Sequence, residues 1–250
     1  MLALGLIGFL LVGISLGLLG GGGSILAVPV LVYLFHLPAS QAVPMSLPVV
    51  GTTAAVGAFL RWRRGQLQVT AALGFAAFAM LAAYLAARWG AGIPDRSRLL
   101  LFVGVMLTAA IVMWRRALRP ATEGAPPVHG AAPRPALLAA AVAVGVLTGL
   151  VGVGGGFLIV PALVGVLAMP MAEAAATSLA VIALNTAAAG MGWWGRVTLD
   201  LPLTAAVTAM ALLGMLVGTR LAPRFSARAL TQAFAALLVL VSALMVVMER

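Results

Sequence analysis

A chain of 250 residues that is 64% hydrophobic and only 8% charged, with a mean hydropathy of +1.18, carries more apolar surface than a soluble domain that size can bury. Its formal charge of +10 comes from 15 arginines and five acids, without lysine, and the arginines flank apolar runs instead of forming one basic face, which excludes a nucleic-acid surface and marks them as topology anchors. The absence of cysteine excludes disulfides, thiol catalysis and thiolate metal sites within the chain.

The apolar stretches predict an all-α polytopic membrane protein with eight segments, four in each half. The first, Leu2–His36, is broken at Gly20-Gly21-Gly22-Gly23-Ser24 and lacks the basic region of a cleavable signal. Met45–Leu60, Leu67–Ala87 and Arg98–Trp114 complete an N-terminal repeat over residues 1–114. Residues 115–135, rich in Pro, Arg and Ala, read as a solvated linker that also holds His129. The C-terminal repeat, 136–250, offers Ala136–Ala168, broken again at Gly152-Val153-Gly154-Gly155-Gly156, then Ala172–Trp193, Leu201–Leu221 and Ala227–Met248. Most of these segments have the ~20 residues that a crossing requires.

The two glycine stretches superpose with Gly20 on Gly152, and in that register Gly13–Val49 agrees with Gly145–Val181 at 16 of 37 positions without a gap. Composition alone does not give that agreement, so the halves read as a duplication. Broken helices at matching places in two halves point to a transport site. Each broken segment is either one interrupted span, making the repeats parallel, or a re-entrant hairpin, making them inverted. Under the positive-inside rule the arginines split nine to six for the first arrangement and ten to five for the second. The first puts both termini inside and the second puts both outside.

Helices starting at Ser24 and Gly156 would aim unpaired N–H groups at the glycine turns, a cradle for an anion that needs no basic side chain. The competing reading is packing, because Gly13-xxx-Gly17 and Gly145-xxx-Gly149 have the spacing of close helix contacts. Ser46, Thr177 and Ser178 follow ~16 residues after the prolines of each copy and offer hydroxyl donors, although such hydroxyls often satisfy their own helix. Thr52, Thr53 and Thr186 lie further along the same segments. Asn185, with Thr53 at the corresponding position, is a costly amide in an apolar span and leans towards function. Glu173, corresponding to Gln41, is the candidate for accepting a coupling proton, against an interfacial acid at a helix start. The candidate substrate-binding set is therefore Gly20, Gly22, Gly23, Ser24, Ser46, Gly152, Gly154, Gly155, Gly156, Thr177, Ser178 and Asn185.

The glycines lack the lysine of a P-loop and the last glycine of a Rossmann fingerprint, and no His/Asp/Glu cluster has metal spacing. No cofactor is expected.

Gly152-Val153-Gly154-Gly155-Gly156 to Pro161, Ala176-Thr177-Ser178-Leu179 and Gly195-Arg196-Val197 together resemble the sulfite exporter TauE/SafE family. In the first half Gly20–Gly23 to Pro29 and Gly65-Gln66-Leu67 correspond, with Met45-Ser46 in place of Thr-Ser and added prolines at 44 and 48. The resemblance implies an inner-membrane permease for small sulfur oxyanions or organosulfonates, usually moving them outward, and the paired glycine turns add the expectation of alternating access by two pseudo-symmetric halves. The partners expected are a small anion, the lipid bilayer and a second copy of the chain in a homodimer, without nucleic acid. An uncoupled anion channel, a permease for another small organic anion and a non-transporting membrane assembly protein are the alternatives.

Overall fold

A computed structural model describes residues 2–89, 134–151, 156–166, 169–197 and 199–248, with scattered residues between 94 and 114. About half of the segment expected at Arg98–Trp114, residues 115–133 of the linker beyond it and Gly152–Gly155 lie outside the described residues. The described chain is helical: α1 Leu2–Leu19, α2 Ala27–Pro29, α3 Ala39–Trp62, α4 Val69–Trp89, α5 Arg134–Val151, α6 Gly156–Val166, α7 Met171–Trp193, α8 Leu201–Leu221 and α9 Ala227–Met248. Among the described residues five stretches are long and apolar enough to cross a membrane.

Helix starts follow local chemistry. Pro38 and Pro170 precede α3 and α7 in extended backbone, and Asp200 caps α8 by accepting from the Leu203 N–H at 3.0 Å, with Pro202 in the first turn. The sequence places the start of the second segment at Met45, after Pro44; the helix instead begins at Ala39 and runs through Pro44 and Pro48. Each proline removes an N–H and frees the carbonyl four positions before it, on Ser40 and Pro44.

α1 does not continue past Leu19. Gly20 takes φ +68°, a left-handed conformation that favours glycine, and a tighter 3₁₀ stretch follows over Gly20–Leu26, then α2 and a π-helical turn over Val30–Leu34. The chain then runs back along α1. Gly23 packs on the backbone of Leu16, Gly8 lies against Val30, and Gly5 lies against the Phe35 ring. A straight helix of ~1.5 Å per residue would hold Gly5 and Phe35 about 45 Å apart. No α-helix starts at Ser24, because the 3₁₀ stretch runs through it; Gly156 does open α6.

The strongest packing is backbone against backbone. A Cβ added at Gly17 would lie 2.6 Å from both the Met215 carbonyl and the Thr219 nitrogen, and one at Gly13 would lie 2.8 Å from the Met215 nitrogen. From the other side, Gly214 and Gly218 face Leu10, Ile14 and Gly17, so α1 and α8 run parallel and mesh glycine to glycine. In the other pair of helices Gly145 meets Ala79 and Gly149 meets Ala83 and Ala87, which sets α5 parallel to α4. The first helix of each half thus packs on the third helix of the other half, while α3 and α7 cross centrally where Gly51 meets Thr186.

The surface is the inverse of a soluble protein's. Small Ala72, Ala76, Ala79, Ala83 and Ala87 are buried on α4, whereas Leu73, Phe78 and Leu81 are exposed. In lipid, helices gain no hydrophobic free energy by touching, so the inner positions go to residues that permit close approach.

Hydrogen bonds also sort the ends. Arg61 donates to the Gly17 carbonyl at 2.6 Å and Arg64 to the Thr219 carbonyl at 3.5 Å, which groups the end of α3 with the ends of α1 and α8. At the opposite end Trp193 donates to the Gly149 carbonyl at 3.3 Å, and Arg196 donates to the carbonyl of Arg88.

Gly17→Leu is expected to abolish the folded, monodisperse state in detergent, since overpacking against an immovable backbone exceeds the usual ~1–3 kcal/mol. Gly74→Ala, where an added Cβ meets nothing within 4 Å, is expected to leave the thermal midpoint unchanged. Because the chain is free of cysteine, Arg64→Cys and Trp194→Cys are expected to label with an impermeant maleimide from opposite sides of the membrane. Labelling of both from one side would contradict the fold.

Candidate functional site

The glycine turn after α1 comes to rest against α6 and α7. A Cβ at Gly156 would lie 2.6 Å from the Gly21 carbonyl oxygen and 2.8 Å from its Cα, so the two backbones touch. Gly20 abuts Ala175 on α7, at 2.5 Å from its carbonyl oxygen to an added Cβ. Any side chain at Gly21 or Gly156 would push this junction apart.

Ser178 ties the turn to α7. Its Oγ accepts the Gly21 N–H at 3.1 Å and donates to the Ala175 carbonyl at 2.9 Å, all of it buried. Ser24 donates to the Gly21 carbonyl at 2.7 Å and so closes the turn on itself. Ser46, which aligns with Ser178, donates to the Val43 carbonyl at 2.7 Å, the counterpart of the Ser178–Ala175 bond. Gly22 and Gly23 are buried in the turn. Gly152, Gly154 and Gly155 lie outside the described residues.

Ser178, Ile182 and Asn185 are spaced i, i+4, i+7 and share one face of α7. Ser178 holds Gly21, and Ile182 lies beneath Gly156. Asn185, one turn further, is 0% exposed, and neither its amide nitrogen nor its amide oxygen has a hydrogen-bond partner among the described residues. Unsatisfied buried polar atoms cost about 1–3 kcal/mol each and are uncommon in folded proteins. By contrast, the buried Thr53, Thr148 and Thr186 return their hydroxyls to their own helices.

Two expected residues sit elsewhere. Thr177 accepts the Gln68 N–H at 3.2 Å, so it anchors the loop before α4, away from the glycine turn. Glu173, in the first turn of α7, accepts from the Gln68 side-chain amide at 2.5 Å and is partly exposed.

Two cavities lie towards opposite ends of the α3–α7 pair. A cleft of about 970 Å³ lies between α3 and α7 towards the Trp194 end, lined by Pro44, Pro48, Gly51, Thr52, Thr186 and Trp193 among others. The sequence marks Thr52 and Thr186 only as polar residues late in their segments, and nothing in it places them at a cleft. A smaller cavity of about 170 Å³ at the opposite end is lined by Arg61, Arg64, Gln66, Ala175 and Thr219. Ala175, which Gly20 abuts, borders the small cavity, and Gly51 and Thr186, which meet where α3 and α7 pack, border the large one.

Spanning helices packed by glycine, with irregular backbone and a buried amide that has no partner among the described residues, define a multi-pass membrane protein of the transporter class. Residues 4–245 match the sulfite exporter TauE/SafE family, and the chain belongs to it. It is 34% identical over 87% of its length to a probable membrane transporter protein of Xylella fastidiosa strain 9a5c, covering 83% of that protein. It is also 30% identical over 92% of its length to the probable membrane transporter protein YdhB of Bacillus subtilis, covering 96%. No solved structure matches.

Ser178→Ala is expected to lower the stability of the detergent-solubilised protein by about 1–3 kcal/mol, because the buried Gly21 N–H loses its acceptor. Asn185→Leu, which removes two unpartnered polar atoms, is expected to leave stability unchanged or raised. Thermal unfolding of both variants decides it, and a loss in Asn185→Leu equal to that in Ser178→Ala would assign the amide a structural bond.

Proposed function

We propose that this chain is a secondary transporter of the plasma membrane that moves a small sulfur oxyanion, such as sulfite, or an organosulfonate outward. The observation that carries this reading is the junction itself. Two backbone segments meet at Gly21 and Gly156 beside a fully buried Asn185 whose amide has no partner among the described residues. A neutral amide and backbone N–H groups at the start of α6 suit a small anion that must be released again, because they hold it without a fixed counter-charge. The family's description as a sulfite exporter supports the substrate class and direction.

The mechanism is alternating access by two inverted halves. In the register that lays Gly20 on Gly152, the Arg61–Gly17 bond falls on the Trp193–Gly149 bond. The Gly13–Ala211 contact likewise falls on the Gly145–Ala79 contact once the halves are exchanged. The first helices of the halves run in opposite directions, with α1 ending by Arg61 and α5 ending by Trp193. Rocking about the α3–α7 crossing would open the cleft at the Trp194 end and the smaller cavity at the Arg61 end in turn. Under the positive-inside rule, Arg61, Arg63, Arg64, Arg220 and Arg224 support a cytoplasmic position for the latter end.

The test is counterflow of labelled sulfite in proteoliposomes loaded with unlabelled sulfite. The wild type is expected to show saturable uptake, and Asn185→Leu, folded by its thermal midpoint, is expected to lose most of it. Absent flux from folded wild-type protein, for sulfite and for a short alkanesulfonate alike, would overturn the substrate class. Full flux in Asn185→Leu would remove the amide from the site.

A further inference from the structure

We propose that Arg61 and Arg64 form a binding site for a small oxyanion at the end of the chain opposite Trp194, and that this site is one-sided. It is a stopping point distinct from the junction at Gly21, and its existence stands on the geometry alone. Only its role as the cytoplasmic approach rests on the transport reading.

Arg61 is 4% exposed near the end of α3, within a buried environment where a lone cation is costly. One guanidinium nitrogen donates to the Gly17 carbonyl, which has no partner within α1 because the helix ends at Leu19. That bond occupies a single donor of the five-donor guanidinium. The buried Nε has no partner among the described residues, and the side chain borders the cavity of about 170 Å³. Arg64 faces the same cavity from its rim, held by the Thr219 carbonyl, and Gln66 and Thr219 complete the polar lining.

No acid lines the cavity among the described residues. Glu173, on the neighbouring helix, is engaged by Gln68. Two guanidinium groups thus meet around an uncompensated space large enough for an oxyanion and a few waters, at ~30 Å³ per water. The planar donor fork of arginine suits the oxygens of sulfite or sulfate. On the inner wall Ala175 also touches Gly20, so an anion held here would wait directly against the glycine turn.

The opposite end shows why the site is one-sided. Trp193 aligns with Arg61, is 5% exposed, and donates to Gly149 as Arg61 does to Gly17. The same structural bond is made there by a neutral indole, so of the pair Arg61 and Arg64 only Arg64 has a basic counterpart at that end, Arg196, which is held by the Arg88 carbonyl.

The test is equilibrium binding of sulfate, a redox-stable probe, and of sulfite to the detergent-purified full chain at low ionic strength. Calorimetry and the ligand-induced rise in thermal midpoint are the readouts. Wild type is expected to bind saturably, Arg64→Gln at least tenfold more weakly, and Arg196→Gln, an equal loss of charge at the other end, as wild type does. Arg61→Gln is expected to abolish binding. It also removes the donor to Gly17, so Arg64→Gln decides the matter if that variant does not fold. Absence of saturable binding to wild type, unchanged affinity in Arg64→Gln, or an equal loss in Arg196→Gln would overturn the site. Binding lost in Arg64→Gln by a protein that shows no counterflow would uphold the site while removing the transport reading.

Discussion

The structure depends on helices approaching until their backbones touch. Where α1 crosses α8, Gly13 and Gly17 lie against Ala211, Met215 and Thr219, and Gly214 and Gly218 reciprocate. Lipid tails are as apolar as leucine, so nothing like the aqueous hydrophobic effect holds these helices together. What remains is dispersion between closely fitted atoms, which fades within an ångström of separation. Glycine is therefore present for distance, and bulky Leu2, Leu4, Ile7 and Leu11 are left to face outward.

This constraint couples the halves. Because α1 packs on α8 and α5 on α4, neither half buries its own first helix, and the turn after α1 is delivered into the other half's territory. That exchange brings Gly21 against Gly156 and presents Gly21 to Ser178. The polar groups then divide by satisfaction. Ser24, Ser46, Thr53, Thr148, Thr177, Ser178 and Thr186 all make bonds within the folded chain, while the Asn185 amide makes none among the described residues. Apart from Arg61 Nε, the Asn185 amide is thus the buried polar group on which a bound ligand would have a bond to gain.

Architecture and electrostatics follow different rules in the two halves. Arg61 and Trp193 hold equivalent carbonyls, yet one brings a positive charge to its cavity and the other brings an indole to a broader cleft. Two similarly arranged helix ends thus present unlike chemistry to the two cavities.

Class, family resemblance and most helix limits are legible in the chain without coordinates, because hydropathy integrated over ~20 residues is a strong signal and glycine, proline and arginine punctuate it. Leu201–Leu221 and Ala227–Met248 are read off to the residue. The start of α3 is not, since Pro44 reads as a breaker although an N–H lost inside an otherwise anchored helix is survivable. Ser24 reads as a helix start because periodicity does not distinguish 3₁₀ from α over so short a stretch. Thr177 and Ser178 are neighbours in sequence, but one serves Gln68 and the other Gly21, and only the rotation of α7 settles which. Partners are the property that folding in three dimensions adds. A glycine pair announces a close contact without saying whose backbone it meets, and the identity of that backbone places Gly21 on Gly156 and Arg61 on Gly17.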